Sequence, residues 1–430
     1  MMAQARTTGW LRLGSQCMTA AQGASDSTMA AAHETPRRSV RRVLILCGDS
    51  DRNLGDHAIV QAMCQELRAA SPGLELSVLS RDPLRAERDF GAKALRPGWR
   101  GGLAVWKAAA RADLVLCGGG GLFQDDDSLA KMPYWAMRVA LARILTGRVV
   151  GYALGVGPLR VASSRLFARL AFACMEKVSV RDRRAQDVAQ ALTTKPVFLL
   201  PDPALVLRPV DAEVARAWLT AQGVPLDGRP LIGVATRRWF PSRTRVVPHR
   251  LTSRLHLADP HESAEGQKLT ALLAEVLDRI VARSGAHVVF LPTYNAPSEA
   301  DNRVCEQVRD RMTQSGAQVL LIDDAPLYKA VCGQLNVVLG GRMHPTILAA
   351  SAGTPVVGLA YNQKFDGFFE LIGAPDQVLD VASFVAEQRT GDLEAMVEAA
   401  LCDGPAHRSR IADLACTISG FTHGLVAGTH

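Results

Sequence analysis

The sequence predicts an α/β protein built from two Rossmann-like domains that face each other across a cleft. Three observations carry this. Short apolar runs recur along the chain, each closed by glycine or polar residues and followed by a helical pattern, as parallel strands with crossover helices require. The series is interrupted once, at 208–230, where a helix flanked by Pro209, Gly223, Pro225 and Pro230 marks a junction, and then resumes. At 430 residues, 48% hydrophobic and 21% charged, the chain is too long for one ordinary core and has apolar material for two.

Residues 1–40 are rich in Ala, Ser, Thr, Met and Gln and show no periodicity. They lack the apolar stretch of a secretory signal and read as a disordered tail, or as sequence ahead of a later start at Met18 or Met29; their arginines also fit an organelle transit peptide. A first domain, 41–207, opens with the buried run 42–48, the turn 49–56 and an amphipathic helix over 57–67. A second strand covers 74–79, and 81–111 is basic and irregular. The run 113–117 then enters Gly118-Gly119-Gly120-Gly121. Four glycines cost folding entropy, so the backbone there does something a side chain would block: a tight packed turn, or close approach of a substrate. Asp125, Asp126 and Asp127 read as helix-capping carboxylates. Further strands end at Gly155-Val156-Gly157-Pro158, at Arg181-Asp182 and at Pro201-Asp202-Pro203. The glycines match neither a dinucleotide fingerprint nor a P-loop.

A second domain, 229–375, begins with the strand 231–236 and carries Arg237-Arg238-Trp239 at its end. Six arginines and no acid lie from Arg237 to Arg254. They form either a solvated loop or a clamp for phosphates, and Arg237, beside the strand, is the one set to point inward. Strands at 287–291 and 319–322 follow, with a helix around 299–312 between them. Residues 376–430 read as C-terminal helices able to pack back on the first domain.

Composition excludes several partners. The net charge of +7 is concentrated at the start: Arg6, Arg12, Arg37, Arg38, Arg41 and Arg42 outweigh Asp26 and Glu34, which leaves +3 for the rest. So weak a basic balance makes no case for nucleic acid and permits peripheral association with an anionic membrane. Nine cysteines show no CxxC and no paired spacing, which argues against a zinc site or disulfide framework and for a reducing compartment. The expected location is the cytoplasm, with the inner face of the membrane for any peripheral attachment. No apolar run approaches the ~18 residues of a membrane span.

The densest chemistry lies at Leu339-Gly340-Gly341-Arg342-Met343-His344-Pro345. An apolar run precedes it and a helical pattern follows. It is therefore a turn at the carboxyl end of a strand, where open α/β sheets bind ligands. Gly341 permits close approach, and the first N–H groups of the helix favour anions. Arg342 adds a cation that grips carboxylate or phosphate with paired hydrogen bonds, and His344 a group that exchanges protons near neutral pH. The alternative for His344 is a helix-start histidine that only hydrogen-bonds the turn.

An ordered set of motifs runs through the chain: Asn53-Leu54-Gly55-Asp56, the four glycines with Asp125, Gly155-Val156-Gly157-Pro158, Arg181-Asp182, Asp202-Pro203, Arg237 with Trp239, Gly341-Arg342-Met343-His344, and Tyr361-Asn362-Gln363-Lys364. From about Val43 to about Phe368 the chain resembles the polysaccharide pyruvyl transferase family. The resemblance implies a GT-B-like pair of domains, the first facing the acceptor and the second the donor. It implies transfer of the pyruvyl group of phosphoenolpyruvate to two hydroxyls of a hexose, in a cell-surface polysaccharide or its lipid-linked precursor, with a cyclic ketal and phosphate as products. Arg342 and His344 would stand beside the donor as catalytic residues, with Asp56 orienting the acceptor or acting as base. Arg237, Asn53, Gly119, Gly120, Gly121, Gly341 and Lys364 would bind substrates. Phosphoenolpyruvate is a donor substrate here, and neither cofactor nor metal is implied. His57 departs from the family, where a glutamate commonly follows the Gly-Asp pair. The same architecture also fits a GT-B glycosyltransferase using a nucleotide sugar, or a non-catalytic partner in polysaccharide assembly.

Overall fold

The computed structural model describes residues 40–98, 101–126, 128–239, 264–295, 299–362, 364–403 and 407–428. Seven parallel strands form the first sheet: β1 (Arg42–Leu46), β2 (Glu75–Leu79), β3 (Lys93–Leu95), β4 (Leu114–Gly118), β5 (Val149–Leu154), β6 (Lys177–Val180) and β7 (Val197–Leu199), in the order β3-β2-β1-β4-β5-β6-β7. Six form the second: β8 (Leu231–Ala235), β9 (His287–Phe290), β10 (Ala317–Val319), β11 (Val337–Gly340), β12 (Val356–Ala360) and β13 (Val378–Asp380), ordered β10-β9-β8-β11-β12-β13. Both orders reverse beside the domain's first strand, between β1 and β4 and between β8 and β11. A doubly wound sheet leaves its ligand crevice beyond the strand ends at that point. The strands are legible as apolar runs because both faces are covered: β4, β5, β8, β11 and β12 are buried at every position.

The first domain's helices are α1 (Leu54–Ala70), α2 (Pro83–Phe90), α3 (Gly102–Arg111), α4 (Lys131–Thr146), α5 (Ala162–Cys174) and α6 (Arg183–Gln190), and α7 (Ala212–Ala221) spans the junction. The second domain has α8 (Ala264–Ser284), α9 (Asp301–Arg311), α10 (Ala325–Cys332), α11 (Met343–Ser351) and α12 (Lys364–Ile372). The chain ends in α13 (Val381–Glu387), α14 (Thr390–Asp403) and α15 (Arg408–Ala427). Three expectations are corrected. The segment 81–111 is not irregular: it holds α2, β3 and α3, with Asp82 capping α2 through Arg85 N. The second sheet continues past 375, because β13 pairs in parallel with β12. The strand expected at 319–322 is β10, shifted toward the amino end.

One cluster of buried apolar residues runs from the first domain into α10, α11 and α12, through Tyr328, Ile347 and Phe365. The domains are thus joined by shared core as well as by the chain. Polar ties reinforce the seam: Leu54 N donates to Thr293 O (3.2 Å), and Lys329 Nζ to Leu205 O (2.8 Å). Helix α15 crosses back to lie on α1, where Ser419 Oγ donates to Glu66 (2.6 Å) and the Thr422 and Tyr152 hydroxyls meet at 2.5 Å. Cys47, Cys64, Cys117, Cys174, Cys305, Cys332 and Cys402 are free thiols, whereas Cys416 is disulfide-bonded. A single bonded cysteine is not a framework. Among the described residues no helix is long and apolar enough to cross a membrane, and no group of three or more His, Cys, Asp or Glu is placed to hold a metal ion.

Candidate active site

The second domain brings two arginines to its switch point. Gly341 lies flat against the exit of β8, donating its N–H to Ala235 O (2.8 Å); a Cβ there would stand 3.2 Å from the same oxygen. Arg342 follows in extended conformation as the N-cap of α11 and provides no side-chain cap, so the helix start stays open. Its guanidinium grips both oxygens of buried Asp301 (2.9 and 2.5 Å) and one of Glu299 (2.9 Å). Burial alone would lower its pKa, but Asp301 and Glu299 reverse this and hold it above the ordinary arginine value. Arg237, at the end of β8, donates Nη2 to the same Glu299 oxygen (3.0 Å) and Nε to Arg238 O (3.2 Å), with its guanidinium 4.2 Å from the Tyr361 ring centre. One carboxylate therefore bridges Arg237 and Arg342.

His344 points the other way, into the first domain. Gly55, in the first turn of α1, packs directly on its ring: a Cβ at Gly55 would fall 2.6 Å from His344 Cβ and closer still to the imidazole. His344 Nε2 is buried without a hydrogen-bond partner, 3.9 Å from Asp202 Oδ2. Asp202 is engaged by Arg181, buried beside it at 2.9 Å, and by Ala204 N (3.0 Å). Burial lowers the pKa of His344 to about 4; Asp202 opposes the shift, and Arg181, Arg342 and Lys364 add to it. The imidazole is uncharged at neutral pH.

Next to Gly55, Asp56 points between the exits of β1 and β4. A Cβ at Gly120 would lie 2.5 Å from Asp56 Oδ1, and one at Gly48 3.1 Å from Oδ2. Burial, seconded by the charge of Asp49, raises the Asp56 pKa to about 6, against the pull of Lys131 and Arg181. Lys364, at the start of α12, reaches across the seam to Gln124 and stands beside Gly121. Arg342, His344, Arg237, Gly341, Asp56, Gly120, Gly121 and Lys364 thus all come to the seam between the domains.

Two expected site features also serve the fold. Asn53 is the N-cap of α1, its side-chain oxygen accepting from Gly55 N (3.0 Å). The glycine run is in part a packing device: Gly118 abuts the Tyr152 carbonyl, and Gly119, at φ +85°, faces Ile59 rather than open space. His57 is structural, held between Ser50 O (3.1 Å) and Asp89 (3.1 Å). Asp125 holds the segment leading into α5 rather than a helix turn, accepting from Arg160 N (2.8 Å) and Val161 N (3.1 Å) ahead of its first residue. Asp127, Gln363 and the arginines at 243, 245, 250 and 254 lie outside the described residues. Four residues join the site that the sequence does not single out for it, Glu299 and Asp301 beside Arg342 and Arg181 and Asp202 beside His344. Only the last two carry a signal, as the Arg-Asp and Asp-Pro pairs at strand ends.

Two Rossmann-like domains meeting at their switch points define a GT-B-like α/β architecture. Among solved structures the chain is similar to UDP-GlcNAc 2-epimerase from Methanocaldococcus jannaschii (11% identity, TM-score 0.55, 88% of this chain and 97% of that one). It is also similar to UDP-GlcNAc 2-epimerase from Neisseria meningitidis bound to UDP-GlcNAc (10%, TM-score 0.53, 88% and 98%) and to a glycosyltransferase from Rickettsia africae ESF-5 (10%, TM-score 0.51, 90% and 98%). At these identities the likeness is one of fold. The chain itself belongs to the polysaccharide pyruvyl transferase family, which it matches over residues 53–363.

Proposed function

We propose that the protein transfers the pyruvyl group of phosphoenolpyruvate to two hydroxyls of a hexose, in a cell-surface polysaccharide or its lipid-linked precursor, forming a cyclic ketal and releasing phosphate. The observation that carries this reading is the gathering of Arg237 and Arg342, an uncharged imidazole and a carboxyl whose pKa burial raises to about 6 along one domain seam. The donor brings a carboxylate and a phosphate on three carbons. Two guanidinium groups suit it, since each keeps its Nη1 without a hydrogen bond among the described residues. Glu299, which bridges them, yields to the donor.

The opposite shifts of the two pKa values support a division of the proton roles. His344 takes the proton of an attacking hydroxyl, and Asp56 supplies one to the methylene carbon. With that carbon protonated, C2 becomes electrophilic; a sugar oxygen bonds to it, and the C2–O bond to phosphate breaks. The second hydroxyl then closes the ketal, and its proton leaves with the phosphate. One hydroxyl proton leaves on phosphate, and the other passes from His344 back to Asp56 to replace the one given to the methyl group, so the reaction balances and both groups are restored. General acid–base help of this kind is worth ~10²–10⁴-fold.

The test is to incubate the protein with phosphoenolpyruvate and a panel of galactosides, glucosides and mannosamine derivatives. Phosphate release and a ketal methyl signal in the NMR spectrum should rise together. Sugar transfer from a nucleotide donor, with indifference to phosphoenolpyruvate, overturns the reading. Full function after Arg342→Ala and His344→Asn together would leave a binding protein.

A further inference from the structure

The outer surface of the first domain formed by α3, α4 and α5 is apolar and basic, and its three helices contain no Asp or Glu. They lie side by side, and buried Arg138 of α4 helps lock them, its guanidinium 4.5 Å from the Tyr134 ring and 5.8 Å from that of Trp106 on α3. Along α4, Met137, Leu141, Ile144 and Leu145 recur at the spacing of one helical stripe, yet all but half-buried Leu141 are exposed, Ile144 by 78%. Leu166 and Leu170 do the same one turn apart on α5, and Leu103 on α3. Lys107, Arg111, Arg143, Arg165 and Arg169, set among them, are all exposed. Scattered surface leucines need no special cause; a set on adjoining helices with only cations between them does.

A second feature adjoins this surface. Where the three helices end, a cavity of about 650 Å³ opens, lined by Arg42, Arg111, Arg143, Arg148 and Lys195 with Asp113 and Glu176. Lys195 is turned onto the carbonyls that close α5, the nearest at 2.5 Å. Asp113 stands 3.9 Å from Arg42, and Glu176 3.2 Å from Arg148. Arg111 and Arg143 make no ion pair among the described residues, and both edge the cavity. The other side of the domain is unlike this: α1 and α2 carry Asp56, Glu66, Glu87 and Asp89 among their cations.

We infer that the α3–α4–α5 surface docks the protein on an anionic phospholipid bilayer, the leucine and isoleucine side chains entering the boundary of the acyl layer and the arginines, with the basic cavity, meeting headgroup phosphates. Charge decides the occupant. A second copy laid on this face would oppose cation to cation. A bilayer offers an apolar layer under a sheet of phosphates, the two chemistries that the face presents together. This inference does not rest on the reaction assigned to the cleft.

The test uses the full chain with vesicles of phosphatidylcholine alone and of phosphatidylcholine with phosphatidylglycerol, read by flotation. The protein should float with the anionic vesicles and be released at high salt, since each cation near such a surface strengthens binding about fivefold at low ionic strength. Ile144→Glu with Leu170→Glu, and separately Arg143→Glu with Arg169→Glu, should each weaken flotation at least about tenfold. Both pairs should leave the melting temperature and turnover on a water-soluble acceptor unchanged. Arg88→Glu, on the opposite side of the domain, serves as control and should have no effect. Equal recovery with both vesicle types overturns the inference, as does undiminished flotation of either pair. A concentration-dependent dimer that the Ile144/Leu170 pair disperses, without vesicle binding, would assign the face to a second copy instead. Saturable binding of inorganic phosphate without vesicle binding would reduce the cavity to a free-anion site and also overturns it.

Discussion

Gly55→Ala sets two rules of stability against each other. Gly55 sits in the first turn of α1 with no left-handed backbone, so helix propensity alone says that alanine should stabilise the protein, by at most about 1 kcal/mol. The structure says the opposite. The added methyl would lie 2.6 Å from His344 Cβ and nearer still to the ring, so ordinary contact at 3.4 Å or more demands a retreat of nearly 1 Å at Cβ and more at the imidazole. Rotating the side chain cannot supply it, because the Cβ itself is in the way. Helices α1 and α11 must part, and overpacking of this kind costs about 1–3 kcal/mol, more than the helix gains. Displacing a proton-transfer group by ~1 Å costs on the order of 10²-fold in rate. The assay is phosphate release at saturating donor, beside thermal melting, with Gly420→Ala in α15 as control, where nothing lies within 4 Å of the added methyl. The control should melt higher with its rate intact. A Gly55→Ala protein that also melts higher and turns over within about threefold of the parent would refute the contact between α1 and His344.

Glu299→Gln removes the charge that occupies Arg237 and Arg342, so the inhibition constant for inorganic phosphate should fall several-fold; an unchanged constant would place the donor elsewhere. Asp56 has its folded pKa raised to about 6 from 3.8, so the fold is favoured while the carboxyl keeps its proton and is weakened as pH rises through that window. Asp56→Asn should therefore be more stable than the parent at pH 7, by on the order of 2 kcal/mol, with the difference gone near pH 4 in denaturant titrations, although its turnover is lost. Lys329, buried with Leu205 O as its hydrogen-bond partner among the described residues, has a pKa lowered by burial from 10.5 to about 7. The unfolded chain holds a proton that the folded one sheds, so stability rises with pH across that window. Lys329→Met should stabilise at pH 7 by on the order of 1–2 kcal/mol, after the orphaned carbonyl is counted, and by less above pH 10.

What can be read in the sequence follows from how local each feature is. Strands buried on both faces appear as continuous apolar runs, and a glycine turn before a helix appears as itself, so the strand exits and the Arg342–His344 turn are legible. Helix α2 is not, because it buries only Ala86 and Phe90, and a periodicity needs more than two points. Strand β13 is three residues long, VLD, and borrows its stability from β12. Asn53 has the chemistry of a ligand-binding side chain, but its place just before an apolar helix fits a cap equally well, and the cap is what forms. The acids around Arg342 are hidden for another reason. Glu299 and Asp301 lie about forty positions away at the start of α9, and no local pattern says that a helix-start carboxylate faces an arginine two strands on.

These hidden acids bear on how the site is switched into its working state. In the free protein the cleft is neutralised from within: Asp301 and Glu299 occupy Arg342, and Asp202 occupies Arg181. His344 still sees the positive charge of Arg181, Arg342 and Lys364, which with burial keeps its pKa near 4 and makes it a weak base. A donor with two anionic groups changes the sign of that field. Its charge offsets the same cations, so the His344 pKa must climb as the donor enters, and the imidazole becomes a stronger base when there is a hydroxyl to deprotonate. Without donor, the imidazole resonances of His344 should therefore stay flat from pH 8 to pH 5, and its contribution to stability, present above pH 6.5, should fade only as pH falls toward 4. Saturating phosphate should move the midpoint upward. A midpoint near 6.5 in the free protein, or one that ignores the anion, would separate His344 from the arginines and end the case for it as the base.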